Sequence, residues 1–260
     1  MSRAGRLELH RVSKTYTVNN RELRVLDQVD LSVEPGGFVG IVGPSGCGKS
    51  TLLRLVVGLD DAYEGEIVLD GEHVAGTSLS RGIVFQDHRL LPWLTLRDNI
   101  GLGLQNSALS EPARRERIAE LLELVGLTGF ELVYPHQLSG GMAQRAAIAR
   151  GLVTEPEILL LDEPLGALDA LTRVRLQDEL LRIWQRERIS MILVTHDVEE
   201  AIVLAERIVV MQSNPGRIAD VIDLDLPYPR DRASHELADV RRRVLTSMGA
   251  LAGTPCRSAA

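Results

Sequence analysis

The chain has 260 residues, 45% of them hydrophobic, a formal net charge of −7 and two cysteines. That is enough for one α/β domain with a sizeable core, or for a core domain carrying an inserted subdomain, and too apolar for general disorder. The acidic balance argues against a nucleic-acid binder, which carries a clustered basic face, and Cys47 and Cys256 make neither a disulfide framework nor a zinc cluster. No apolar run approaches the ~18 residues of a membrane span, and residues 1–6 lead into no signal-peptide core, so a membrane role is expected to come through a partner.

In chain order, residues 7–12 and 26–33 alternate apolar and polar side chains as half-exposed strands do, with Pro35, Gly36 and Gly37 as a turn after the second. They predict an antiparallel layer beside the core. Tyr16 falls between these strands, where its ring either stacks on an adenine face or simply closes a strand end.

Residues 38–42 read as a short buried strand and 52–57 as a helix stopped by Gly58. Between them Gly43, Pro44, Ser45, Gly46, Cys47, Gly48, Lys49, Ser50 and Thr51 fit the pattern G-x-x-x-x-G-K-[ST] without a mismatch. Strand, loop and helix in this order make a phosphate site. Glycines let successive N–H groups turn inward, the helix start adds partial positive charge, Lys49 adds a full one, and the Ser50 hydroxyl suits Mg2+. Cys47 is either a small residue filling a tight loop or a thiol made reactive by the helix start.

Further on, residues 63–71 give a turn, a short strand and an Asp-Gly hairpin signal, and residues 82–85 a strand ending at Gln86. The pattern then becomes helical, with helices expected over 96–104, 111–125 and 141–152. Strand character returns at 158–161, running into Asp162 and Glu163, where a parallel sheet places its chemistry. Asp162 suits a supporting role at Mg2+, and Glu163 orienting or deprotonating a water. A helix over 171–188 and a strand over 191–195 lead to His196, placed to bond a γ-phosphate and align Glu163. Asp197 is a helix cap, residues 208–219 a hairpin, 236–248 a basic amphipathic helix, and Ala252 onward a frayed end.

Ser139, Gly140 and Gly141 open a helix inside the helical insert and form a second anion-binding helix start, although one ATP presents a single γ-phosphate.

Taken together, Tyr16, the loop 43–51, Gln86, residues 138–142, residues 158–164, the Ala167-Leu168-Asp169 turn and His196 resemble the nucleotide-binding subunits of ABC transporters, in that family's order and across about residues 7–224. Residues 85–93 and 138–145 are most similar to the nitrate, sulfonate and taurine importer group, closest to aliphatic-sulfonate importer ATPases. Gly166 departs from the serine common there.

The resemblance implies a P-loop NTPase core with a RecA-like mixed sheet, an antiparallel β subdomain and an inserted α-helical subdomain. Residues 1–225 would be the ABC ATPase domain, with the helical subdomain at about 87–153, and 226–260 a short C-terminal extension. It implies ATP and Mg2+ as cofactors, with Glu163, His196, Gln86 and Lys49 catalytic. Tyr16, residues 43–51 and Ser139, Gly140 and Gly141 would bind nucleotide, and Ser50, Gln86 and Asp162 would serve the metal.

Expected partners are a second copy in a head-to-tail dimer, transmembrane permease subunits and, indirectly, a periplasmic or surface solute-binding protein; nucleic acid is not expected. The protein would sit peripherally on the cytoplasmic face of the cell membrane and power uptake of aliphatic sulfonates. The alternatives are a nitrate or taurine importer ATPase or a non-transport ABC switch. Leu90, Leu91 and Trp93 either receive a coupling helix of the permease or pack the helical insert.

Overall fold

A computed structural model describes residues 4–249. The expectations for Cys256 and for a frayed end from Ala252 lie outside the described residues.

Two sheets form the core. Strands β1 (Leu7–Val18), β2 (Arg21–Val33), β4 (Glu64–Leu69) and β5 (Glu72–His73) make an antiparallel sheet in the order β2-β1-β4-β5. The second has six strands, β3 (Phe38–Val42), β6 (Arg81–Val84), β7 (Ile158–Asp162), β8 (Ser190–Thr195), β9 (Arg207–Gln212) and β10 (Arg217–Asp223), in the order β10-β9-β3-β8-β7-β6. All its neighbours run parallel except β10 and β9, which close the sheet as a hairpin.

The apolar runs of β3, β7 and β8 follow from their position, because a parallel strand covered on both faces needs apolar side chains on both. Ile158, Leu160, Ile192 and Val194 face a core shared with the antiparallel sheet and α1 (Lys49–Val57). Leu159, Leu161, Met191 and Leu193 face the opposite core, built with α2 (Leu96–Gly101), α3 (Glu111–Leu124), α4 (Gly140–Leu152) and α5 (Ala170–Glu187). A third cluster joins α6 (Val198–Leu204), α7 (His235–Ser247) and the outer strands. Among the described residues no helix is long and apolar enough to cross a membrane.

The antiparallel layer is longer than its alternation suggested, and Tyr16 is not between strands. It lies within β1, paired with Leu23 of β2. The register shifts three times between Leu9 and Thr15, and Arg11 adopts φ 49°. Such bulges rotate polar residues inward and interrupt the period of two. Ser13 and Lys14 are consequently buried.

The two sheets meet beneath the phosphate loop. Gly216, before β10, exchanges backbone hydrogen bonds with Val25 and Asp27 at 2.9 Å each. A Cβ there would lie 2.2 Å from the Cys47 carbonyl, so only glycine permits this approach. Asp27 is held by Arg24 and Arg217, tying β2 to β10.

After β10 the chain folds back on α6. Arg230 is 7% exposed, and its guanidinium donates to the Ile202 and Ala205 carbonyls at 2.6 Å each. A cation on orphan carbonyls at a helix C-terminus is favoured both as a cap and by the helix dipole. Tyr228 lies under the guanidinium, 4.3 Å from ring centroid to Cζ, and donates to the Leu204 carbonyl at 2.8 Å. Leu237 and Val244 of α7 complete the contact.

Candidate active site

The phosphate loop links the buried β3 to α1. Gly46 and Gly48 have φ of 78° and 98°, which turns consecutive N–H groups toward one side. Lys49 is buried, with its ammonium donating to the Gly43 and Pro44 carbonyls at 2.9 and 3.1 Å. Of the two readings of Cys47, the packing one fits. The thiol is fully buried beside Gly43, and burial pushes it up despite Lys49. A reactive thiol needs exposure and a lowered pKa, and Cys47 has neither.

Ser50 Oγ donates to Asp162 Oδ1 at 2.9 Å, so the first turn of α1 and the end of β7 supply a hydroxyl and a carboxylate at one point. Burial, together with the adjacent Glu163 charge, pushes the Asp162 carboxyl above its ordinary range, while the bond from Ser50 opposes this. Positive charge here would relieve that frustration. Hard oxygen donors in a partly desolvated, anionic setting fit Mg2+.

Glu163 adopts φ 48°, unusual for a residue with a Cβ, and its N–H is anchored to the Val194 carbonyl at 2.8 Å. Backbone strain of this kind costs about 1–3 kcal/mol and is found where geometry matters more than stability. It aims the carboxylate at the neighbouring strand, where Glu163 Oε2 and His196 Nδ1 are 2.9 Å apart. His196 follows β8, and Asp197 caps α6 as expected, accepting from the Glu199 and Glu200 N–H groups at 3.0 and 3.4 Å. The pair has the composition of a base and its orienting partner.

Gln86 follows β6, whose register beside β7 brings it to the same end of the sheet. Its amide faces Gly166, where an added Cβ would lie 3.2 Å from Nε2. A side chain at residue 166 would therefore require the Gln86 amide to shift by a few tenths of an ångström. Gln86 is not in the Ser50–Asp162 contact.

Ser139 caps α4, accepting from the Met142 N–H at 3.3 Å, and both it and Gly140 are exposed. This helix start is built against the turn before α5: a Cβ on Gly141 would meet Thr172 at 2.7 Å, and one on Gly140 would meet Leu168 at 3.6 Å. The chain therefore carries two helix starts of the kind that suits an anion, on separate elements.

Three supporting contacts escaped the sequence reading. Gln144, buried in α4, donates to the Phe85 carbonyl at 3.1 Å. Arg150, from the last turn of α4, donates to the His88 and Arg89 carbonyls at 2.8 Å each. Together they hold the backbone on both sides of Gln86. Arg173 joins the Leu168 carbonyl at 3.1 Å to Asp197 Oδ2 at 3.3 Å, connecting the turn before α5 with the residue after His196.

Glu200 on α6 is 3% exposed, and its Oε1 is buried without a hydrogen-bond partner among the described residues. Burial pushes its carboxyl up to about 7, with a bond to Thr195 opposing and the Asp197 charge assisting. The folded value exceeds the unfolded one, so the associated stability is whole below the ordinary 4.5 and lost as pH rises to about 7. The loss is on the order of 3 kcal/mol. Glu200→Gln is therefore expected to raise Tm at pH 8 and to match the parent below pH 4.5, a difference that thermal melts at the two pH values would measure.

Comparison with known proteins gives the chain its family. The model of the family described as ABC transporter matches residues 26–166. The chain is 49% identical over 234 residues to the aliphatic sulfonates import ATP-binding protein SsuB of Bacillus cereus, covering 90% of this chain and 92% of that protein. It is 46% identical over 233 residues to the protein of the same name from Bacillus subtilis, covering 90% of each. An uncharacterized ABC transporter ATP-binding protein of Methanocaldococcus jannaschii is 46% identical, with 92% and 90% covered.

Among solved structures, the dimeric structure of MJ0796, described as a bacterial ABC transporter cassette, is similar with TM-score 0.75 and 35% identity, over 85% of this chain and all of that one. A post-hydrolysis dimer of the same cassette with ADP and Pi gives TM-score 0.73 at 33% identity, with the same coverage. With a family model over residues 26–166 and relatives 46% and 49% identical over 90% of its length, this chain is a member of the ABC transporter family, an ATP-binding and ATP-hydrolysing cassette.

Proposed function

We propose that the chain powers uptake of a small anionic solute, an aliphatic sulfonate, by hydrolysing ATP beneath a membrane permease. The carrying observation is its 49% identity, over 90% of this chain and 92% of the relative, to a protein named for aliphatic sulfonate import. Residues 1–225 would be the ATPase, with the helical insert at about 87–153, and Tyr228, Arg230 and α7 of the extension brace it.

In this reading the N–H groups of residues 43–51 and the Lys49 ammonium bind the triphosphate, and Tyr16 stacks on the base. Ser50 and Asp162 would hold Mg2+, with Gln86 supplied from the segment after β6, and the ion would neutralise charge on the phosphate oxygens. Glu163 takes a proton from the attacking water, while His196 keeps Glu163 oriented and bonds the γ-phosphate. Ser139, Gly140 and Gly141 of a second copy close the site in a head-to-tail dimer. The assembly sits on the cytoplasmic face of the membrane, and a solute-binding protein delivers cargo from the other side.

The permease contact is assigned to Trp93. Leu90 is 6% exposed and belongs to the core, whereas Trp93 is 69% exposed. Buried Asn99 holds the turn that presents it, bonding the Leu91, Leu94 and Thr95 carbonyls at 3.1 Å each. Trp93→Ala is expected to cut transport about tenfold or more, as loss of an aromatic anchor does, while leaving the isolated ATPase rate unchanged. Parallel loss of both would point to packing instead.

Growth on an alkanesulfonate as sole sulfur source, with and without the gene, tests the cargo. Equal growth of the two strains would refute a sulfonate importer.

A further inference from the structure

The side chains behind Tyr16 have no part in the mechanism above. Lys14, two residues earlier on β1, is 3% exposed, and burying an ammonium is costly unless it is paired and hydrogen-bonded. Its Nζ donates to Asp60 Oδ1 at 2.6 Å and to the Ala62 carbonyl at 2.5 Å, and lies 4.6 Å from the Tyr16 ring centroid. Tyr16 donates its hydroxyl to the other oxygen, Asp60 Oδ2, at 3.0 Å. Burial pushes the Asp60 carboxyl up, but the bonds from Lys14 and Tyr16 outweigh this and hold it below its ordinary range.

The placement of Asp60 gives this triad its meaning. Gly58 ends α1, the helix that begins with Lys49 in the phosphate loop, and Asp60 follows two residues later. One rigid helix thus carries phosphate ligands at its start and the anchor of Tyr16 just past its end. The ammonium covers one face of the ring, a favourable cation–π arrangement that leaves the other face to stack.

We infer that Lys14 and Asp60 are positioning residues of the base subsite, fixing Tyr16 to the phosphate-loop helix so that base and triphosphate are gripped at one set separation. This rests on the reading of Tyr16 as the base platform. A pair that only stabilised the fold would affect every ligand of the phosphate loop alike. One that sets the base platform affects only ligands that carry a base.

The test is equilibrium binding of ATP and of inorganic tripolyphosphate, each with magnesium, to the full chain. Lys14→Met and Asp60→Asn are expected to weaken ATP about 5- to 20-fold, the scale of one base–aromatic stack, and tripolyphosphate less than about twofold. Lys14→Arg should recover most of the ATP affinity. Tyr16→Phe, which keeps the ring and removes only the hydroxyl that donates to Asp60, should weaken ATP about two- to fivefold. Equal weakening of both ligands by Lys14→Met would overturn the inference. So would wild-type ATP affinity in Lys14→Met and Asp60→Asn when Tyr16→Ala is impaired. Unchanged ATP affinity in Tyr16→Ala would instead refute the base platform itself.

Discussion

Glu163→Gln is expected to bind ATP about as well as the parent chain, to hydrolyse it about 10²- to 10⁴-fold more slowly, and to accumulate as an ATP-bound dimer. The amide keeps the shape of the carboxylate and its bond toward His196, 2.9 Å away, so the strained turn at φ 48° has no reason to relax. What it loses is the capacity to take a proton from water. Because nothing in the phosphate loop changes, binding and turnover should separate. Steady-state ATPase assays, nucleotide binding and size-exclusion chromatography with ATP would measure the three effects. Near-normal turnover would remove Glu163 from the role of base.

The second large effect concerns the separation of the two anion-binding helix starts. Ser139→Arg places a bulky cation on the exposed cap of α4 and is expected to abolish hydrolysis while leaving the chain's own phosphate loop intact. If the site is completed by a second copy, mixing Ser139→Arg with Glu163→Gln should restore activity that neither has alone. In the mixed dimer one site receives Glu163 from the first variant and an intact Ser139 from the second. With random pairing, half of the dimers are mixed and each has one intact site of two, so about a quarter of the parental rate is the upper bound. Titrating one variant against the other at fixed total concentration would reveal the maximum. No recovery at any ratio would place both residues in the same site of one chain.

What could be read from the sequence was what is contiguous in it. The phosphate loop, the apolar run into Asp162 and Glu163, and His196 after a second apolar strand each announce themselves within about ten residues. Their convergence then follows from the parallel registers of β3 with β8 and of β7 with β8. The helix stop at Gly58 and the cap at Asp197 were legible for the same reason. By contrast, the true extent of β1 was hidden by three register shifts, which break the alternation on which a strand reading depends.

The supporting contacts are hidden more deeply. Gln144 reaches Phe85 across 59 residues, Lys14 reaches Asp60 across 46, and Arg230 reaches Ile202 across 28. No local period marks them, because each is a polar side chain finding a backbone carbonyl or a charge that only the folded chain brings near. Gly166 is the mirror case, a residue whose effect is the room it leaves for Gln86. Trp93 could be settled only by its exposure, since an aromatic beside Leu90 and Leu91 has the same composition whether it fills a core or faces outward.

The two-point hold of α4 on the Gln86 segment has a consequence for how ATP is counted. One helix begins with the exposed anion-binding turn at Ser139 and grips the backbone beside Gln86 through Gln144 and Arg150. On the proposed reading, a head-to-tail pair would bolt the element that meets the neighbour's nucleotide to the loop that meets its own. Each subunit would then act as a coincidence detector. Its hydrolysis rate should rise with ATP as a sigmoid whose Hill coefficient approaches about two, and cutting both points of the hold with Gln144→Ala and Arg150→Ala together should flatten that curve toward about one.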